Sequence, residues 1–209
     1  MKPDDSLEHW TAAVASPSAS PAGGAAAAVS AAMAAALVEM VAGMTGLRER
    51  YAPVHQEANA ARTRSAELRA ELLGLASRDA EVFADFERAL ALPKGTEAER
   101  ATRERSKTWA LQQGAEVQLA VLRRTAEVAD LAAKLTAVGL ATAMGDSATA
   151  VFLAGGAARS AYWSVRGNLD AAAETGAEAK RSLQEGLELL ERTDAAEGRA
   201  RQLLNERIR

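Results

Sequence analysis

The chain reads as all-α, a bundle of long antiparallel helices, and three features of its 209 residues say so. Alanine occurs 52 times and leucine 23 times, and both are strong helix formers. Isoleucine occurs once and aromatic residues make up 4%, too little β-branched and aromatic bulk to fill the pleated faces of a sandwich or barrel. All five prolines (Pro3, Pro17, Pro21, Pro53, Pro93) precede residue 94, so nothing after them obliges a helix to break. The length fits one domain, residues 1–209, with enough chain for a sizeable core.

A short helix is expected over Asp4–Ser16, followed by a Pro/Ser/Gly loop from Pro17 to Gly24. The next helix, about Gly24–Ala42, is small or apolar on every side, which marks it as central, and its alanines let neighbouring backbones approach closely. Gly43 and Gly46 end it. A long pattern from about Tyr51 to Leu92 closes at Pro93, and Thr96 with Glu99 has capping-box spacing for a helix running to about Val138, with relief at Gly114. Gly139 and Gly145 bracket a break, and Asp146-Ser147 can cap a helix over Ala148–Arg166. Two last helices fit Asp170–Arg192 and Asp194–Arg209, the second opened by Asp194 and Glu197.

Composition also narrows the function. A net charge of −3 and no arginine run beside stacking aromatics argue against a nucleic-acid partner. The absence of cysteine excludes disulfides and thiolate chemistry, and His9 and His55 stand alone, so no metal site is expected. Ala25–Met44 approaches membrane-spanning length, but alanine is only marginally apolar, Ser30 and Glu39 interrupt it, and neither flank is basic; no membrane association is expected. With Asp4, Asp5 and Glu8 where a secretory signal carries basic residues, the expected location is the cytoplasm.

Asp79 is the most informative residue. At 100° per residue, Leu68, Leu72, Leu75, Phe83, Phe86 and Leu90 lie within about 40° of its direction, while Glu71, Arg78, Glu81, Asp85, Glu87 and Arg88 turn away by about 80° or more. An inward carboxylate is desolvated and pushed toward acid/base work; the alternative is a buried structural pair with an arginine. Lys94 sits in a helix-to-helix turn, where lysine is usually solvated. Ala22-Gly23-Gly24 exposes backbone N–H groups at a helix start, either an anion site or a plain tight turn. Asp146, taken alone, reads as an N-cap. Trp109, Tyr162 and Trp163 could stack on a flat ligand, although aromatics at helical positions more often fill cores.

In order along the chain these features resemble the cyclodeaminase domain of formiminotransferase-cyclodeaminase and its stand-alone bacterial relatives, some of them methenyltetrahydrofolate cyclohydrolases. The carrying stretches are Pro21-Ala22-Gly23-Gly24-Ala25, Met40-Val41-Ala42-Gly43-Met44-Thr45, Asp79-Ala80-Glu81-Val82-Phe83, Leu92-Pro93-Lys94, Gly145-Asp146-Ser147-Ala148 and Ser164-Val165-Arg166-Gly167-Asn168-Leu169. The chain departs from the family pattern at Ala22, Ala25, Gly145 and Ser164.

The resemblance implies a homodimer with a folate-binding cleft between subunits and no cofactor beyond the tetrahydrofolate substrate. It implies Asp79 as acid/base, Lys94 as a catalytic contact, and Gly23, Gly24, Asp146 and Asn168 as substrate-binding positions. The competing reading is a helical dimer that has lost this catalysis, binds a protein partner, or acts on another amidine, since fold does not fix chemistry.

Overall fold

The computed structural model describes residues 6–18 and 20–207. Its helices are α1 (Leu7–Ala15), α2 (Gly23–Gly46), α3 (His55–Ala91), α4 (Glu97–Val138), α5 (Met144–Ala171) and α6 (Ala177–Arg207), with short 3-10 segments at Glu49–Val54 and Ala141–Ala143. No strand occurs among the described residues, so the all-α expectation holds.

The centre is α2, packed between α3, α4 and α5. Ala25, Ala28, Ala31, Ala34, Ala35, Val38, Val41 and Ala42 are buried, because methyl-sized side chains bring three neighbouring backbones close to it. By length and composition α2 is apolar enough to cross a membrane, with a mean hydropathy of 1.9, yet 56% of that stretch is buried inside the bundle.

Polar contacts fix the register of the other helices. Gly24, Gly43 and Gly46 of α2 lie beside Asp79, Arg62 and Asn59 of α3, an antiparallel pairing that also carries the Arg69–Glu39 ion pair at 3.1 Å. Arg64–Glu127 at 2.7 Å and Arg124–Glu71 at 2.8 Å run α3 antiparallel to α4. Arg123–Glu185 and Arg192–Asp130, each spanning 62 residues, set α4 and α6 parallel.

Several boundaries differ from the sequence reading. Glycine does not stop α2 at Gly43: the helix continues to Gly46, and near its end the Thr45 hydroxyl accepts a bond from the Leu140 N–H that ties it to the segment before α5. Pro53 lacks the N–H that an α-helix interior needs, so residues from Tyr51 form a 3-10 turn and α3 starts at His55. Gly114 gives no break in α4; it is buried where Asn168 packs against it. Asp146 is not an N-cap, because α5 already begins at Met144, placing Asp146 and Gly145 in its first turn.

The largest correction concerns α6. It is one helix, not two, because Asp194 and Glu197 are both taken by Arg159 of α5, and Glu197 also by Arg201, instead of capping a new start. The real break lies at residues 172–176, where Ala173 adopts φ 54°, a left-handed conformation usually left to glycine. The expected first helix is seen from Leu7, capped by the Ser6 side chain; its expected start at Asp4 lies outside the described residues.

Candidate active site

The C-terminal half of α3 carries Asp79 to the N-terminus of α2. Its carboxylate accepts from the Ala25 backbone N–H, one of the donors a helix start leaves unsatisfied, and Gln118 of α4 donates to Oδ1 from Nε2 at 2.6 Å. Burial pushes the Asp79 carboxyl above its ordinary value, and the Gln118 and Ala25 bonds oppose that rise. Among the described residues no arginine pairs with it, so the structural-pair alternative is not what they build.

Asp79 opens on a cleft of about 300 Å³. Ala22, Gly23 and Gly24 form one rim, Val82, Phe83 and Phe86 a second, Ala110, Leu111, Gly114 and Gln118 of α4 the floor, and Ser164 with Asn168 of α5 the far wall. The apolar stripe around Asp79 thus divides: Leu68 and Leu72 are core, Phe83 and Phe86 are cleft wall, and Leu90 is 43% exposed. Asp79 is the one ionisable group of the lining; Ser164 and Asn168, one helical turn apart, present hydroxyl and amide groups to the space. That volume suits a ring system, and the apolar walls with few polar groups are those of a small-molecule site.

The glycines act differently from one another. A Cβ on Gly23 would meet nothing within 4 Å, so this position leaves room at the rim. A Cβ on Gly24 would lie 2.3 Å from Gln118 Nε2 and 2.6 Å from Asp79 Oδ1. Glycine at this position, itself part of the cleft lining, lets the Asp79–Gln118 pair close over the helix start.

Lys94 and Asp146 are not brought to this cleft by the same chain. Lys94 is exposed in the α3–α4 turn, beyond the twelve residues, or about 18 Å, of helix that separate Asp79 from Ala91. Asp146 is exposed at the start of α5, and the 22 residues to Asn168 put the two about 33 Å apart along one unbroken helix. Trp109 and Trp163 are 50% and 61% exposed, and only Tyr162 packs on the core.

Sequence reasoning passed over Gln118, which is 1% exposed. The signal was present: Gln118 shares the buried face of α4 with Gly114, Val121, Leu122 and Thr125, the same helical-face pattern that singled out Asp79. Among the described residues no three His, Asp or Glu side chains converge as a metal site would require.

A helical bundle whose cleft presents a single partly buried carboxyl, whose rise through desolvation two hydrogen bonds oppose, is a scaffold for proton transfer on a small ligand. The chain belongs to the family described as Formiminotransferase-cyclodeaminase, which residues 6–186 match. A methenyltetrahydrofolate cyclohydrolase from Methylorubrum extorquens is 34% identical over 129 residues; the match spans 62% of this chain and 62% of that relative's length. The crystal structure of formiminotetrahydrofolate cyclodeaminase from Thermotoga maritima superposes with a TM-score of 0.86 at 27% identity, covering 99% of this chain and 98% of that one. The membership expected from the quoted motifs is borne out.

Proposed function

We propose that this protein is a cytoplasmic enzyme of folate one-carbon chemistry acting at the N5/N10 bridge of tetrahydrofolate. It either forms 5,10-methenyltetrahydrofolate from 5-formiminotetrahydrofolate or hydrolyses the methenyl bridge to 10-formyltetrahydrofolate. The observation that carries the reading is the Asp79 carboxyl, largely desolvated and, among the described residues, paired with no cation, in a cleft of a chain that belongs to this family.

Both reactions move one proton between nitrogen or water and a leaving nitrogen. In the first, N10 attacks the amidinium carbon, Asp79 accepts the N10 proton, and the acid then returns it to the exocyclic nitrogen as the carbon–nitrogen bond breaks and ammonia leaves. In the second, water adds to the bridge carbon and loses one proton to Asp79, which gives it to N5 as the N5–carbon bond opens, while the remaining hydroxyl proton leaves to solvent as the formyl C=O forms. A carboxyl raised by burial holds a proton more readily than an ordinary one, which suits it to serve as base and then as acid. Gly23, Ser164 and Asn168 would seat the polar edge of the ring, with Phe83 and Phe86 along its apolar side.

The position of Asp146, a helix length from Asn168, supports a cleft completed by a second copy of the chain, as the family resemblance implies. Lys94 reaches Asp79 only in the same way. A monomer at micromolar concentration in sedimentation that is still fully active would remove both residues from the site.

The test is to add each folate separately and follow the methenyl absorbance. Its appearance from 5-formiminotetrahydrofolate identifies a cyclodeaminase, and its accelerated loss from 5,10-methenyltetrahydrofolate a cyclohydrolase. Neither signal above the uncatalysed rate, with folded protein, refutes the reading.

A further inference from the structure

Gln118 is almost wholly buried, yet only half of its amide is used. Nε2 donates to Asp79 Oδ1, while Oε1 is buried and has no hydrogen-bond partner. An unmet buried acceptor costs about 1–3 kcal/mol, so a chain that needed only a structural contact would lose little by placing an apolar side chain there. The last torsion of a glutamine side chain is broad and exchanges two groups of nearly equal size, so both orientations of the amide fit the same space.

We propose that Gln118 is a positioning residue for Asp79 that serves both of its protonation states: Nε2 donates to the carboxylate, and after the amide turns over, Oε1 accepts from the carboxylic acid. The same side chain thus holds the carboxyl against the N-terminus of α2 throughout a proton-transfer cycle. The Ala25 N–H can donate to an oxygen of either form but cannot accept the acid's O–H. Gly24 keeps the space in which the two side chains meet.

Among the described residues no other charge competes for this role. The faces that α2, α4 and α5 turn to Asp79 carry Ala22, Gly23, Gly24, Gln118, Ser164 and Asn168, none ionisable. On α3 itself the nearest charges, Arg78 and Glu81, pair with each other on the outside.

This inference rests on Asp79 being the acid/base, but its test does not require turnover. Gln118→Met keeps length and shape while removing both amide groups. Proteins labelled with carboxyl-13C aspartate are titrated by NMR, with Asp79→Asn assigning the resonance. Loss of the donor leaves desolvation unopposed by Gln118, so Asp79 in Gln118→Met titrates at higher pH than in the wild type. With folate substrate, kcat falls at least tenfold, KM stays within about threefold, and the acid limb of the pH–rate profile moves upward.

Gln118→Glu is the second variant and covers a misfolded Met variant: two carboxyls within hydrogen-bond distance share a proton, and the pair takes up its first proton at higher pH. Asp79 titration unchanged in the folded variants overturns the role of Gln118. A shifted titration in a protein that turns over neither folate overturns the folate reading and leaves the positioning role standing.

Discussion

Replacing Gly24 by alanine tests the geometry of the site most sharply. The new Cβ would stand 2.3 Å from Gln118 Nε2 and 2.6 and 2.9 Å from the two Asp79 oxygens, so both side chains must withdraw by about 1 Å to reach ordinary contact. Asp79 is tied to the Ala25 N–H and Gln118 is buried, so neither can withdraw and keep their mutual hydrogen bond. Losing a bond to a charged group costs about 1.5–3 kcal/mol and overpacking about 1–3 kcal/mol, offset by up to about 1 kcal/mol of helix propensity. Gly24→Ala should therefore destabilise by about 2–4 kcal/mol, lowering Tm by roughly 5–15 °C in a chain of this size, and should depress turnover with it. Gly23→Ala is the control: with nothing within 4 Å of its Cβ, it should stay within about 0.5 kcal/mol of wild type. Thermal and urea unfolding of both variants decide it. Equal stability of the two variants would refute the reasoning.

Three further outcomes follow from particular residues. Ala173→Gly should raise stability by about 1 kcal/mol in urea unfolding, because the left-handed φ of 54° that ends α5 strains any residue with a Cβ. Asp79→Asn should stabilise the fold at pH 7. The folded carboxyl holds its proton above the ordinary value of 3.8, so stability falls as pH rises from there through the folded value, and the neutral amide avoids that loss; the gain should vanish below about pH 4. Glu197→Gln should cost about 1–3 kcal/mol in thermal unfolding, since it weakens the clamp by which Glu197 joins Arg159 of α5 to Arg201 within α6.

Much of the fold was legible because helix propensity, the absence of late prolines and the Thr96–Glu99 capping box all point the same way; that box forms as expected. The errors share a cause. Asp194 and Glu197 carry a local start signal, and only the tertiary position of Arg159 redirects them to side-chain partners. The end of α5 was illegible for the opposite reason: alanine occupies a conformation that the sequence signals by glycine.

At the site, the inward direction of Asp79 could be read from helical phase, whereas its partners could not. The Ala25 N–H and Gln118 come from two other helices, and no periodicity within α3 contains them. Lys94 and Asp146 were grouped with Asp79 by motif order, which carries no distance, and the lengths of α3 and α5 separate them within one chain.

The central claim, that Asp79 carries the proton in a folate reaction, is tested most directly by comparing wild type with Asp79→Asn on both folates while measuring ligand binding by calorimetry. The account predicts that the variant binds the folate and keeps its helicity but loses about 10²–10⁴-fold in turnover. Turnover within a few-fold of wild type would contradict it and remove Asp79 from the mechanism.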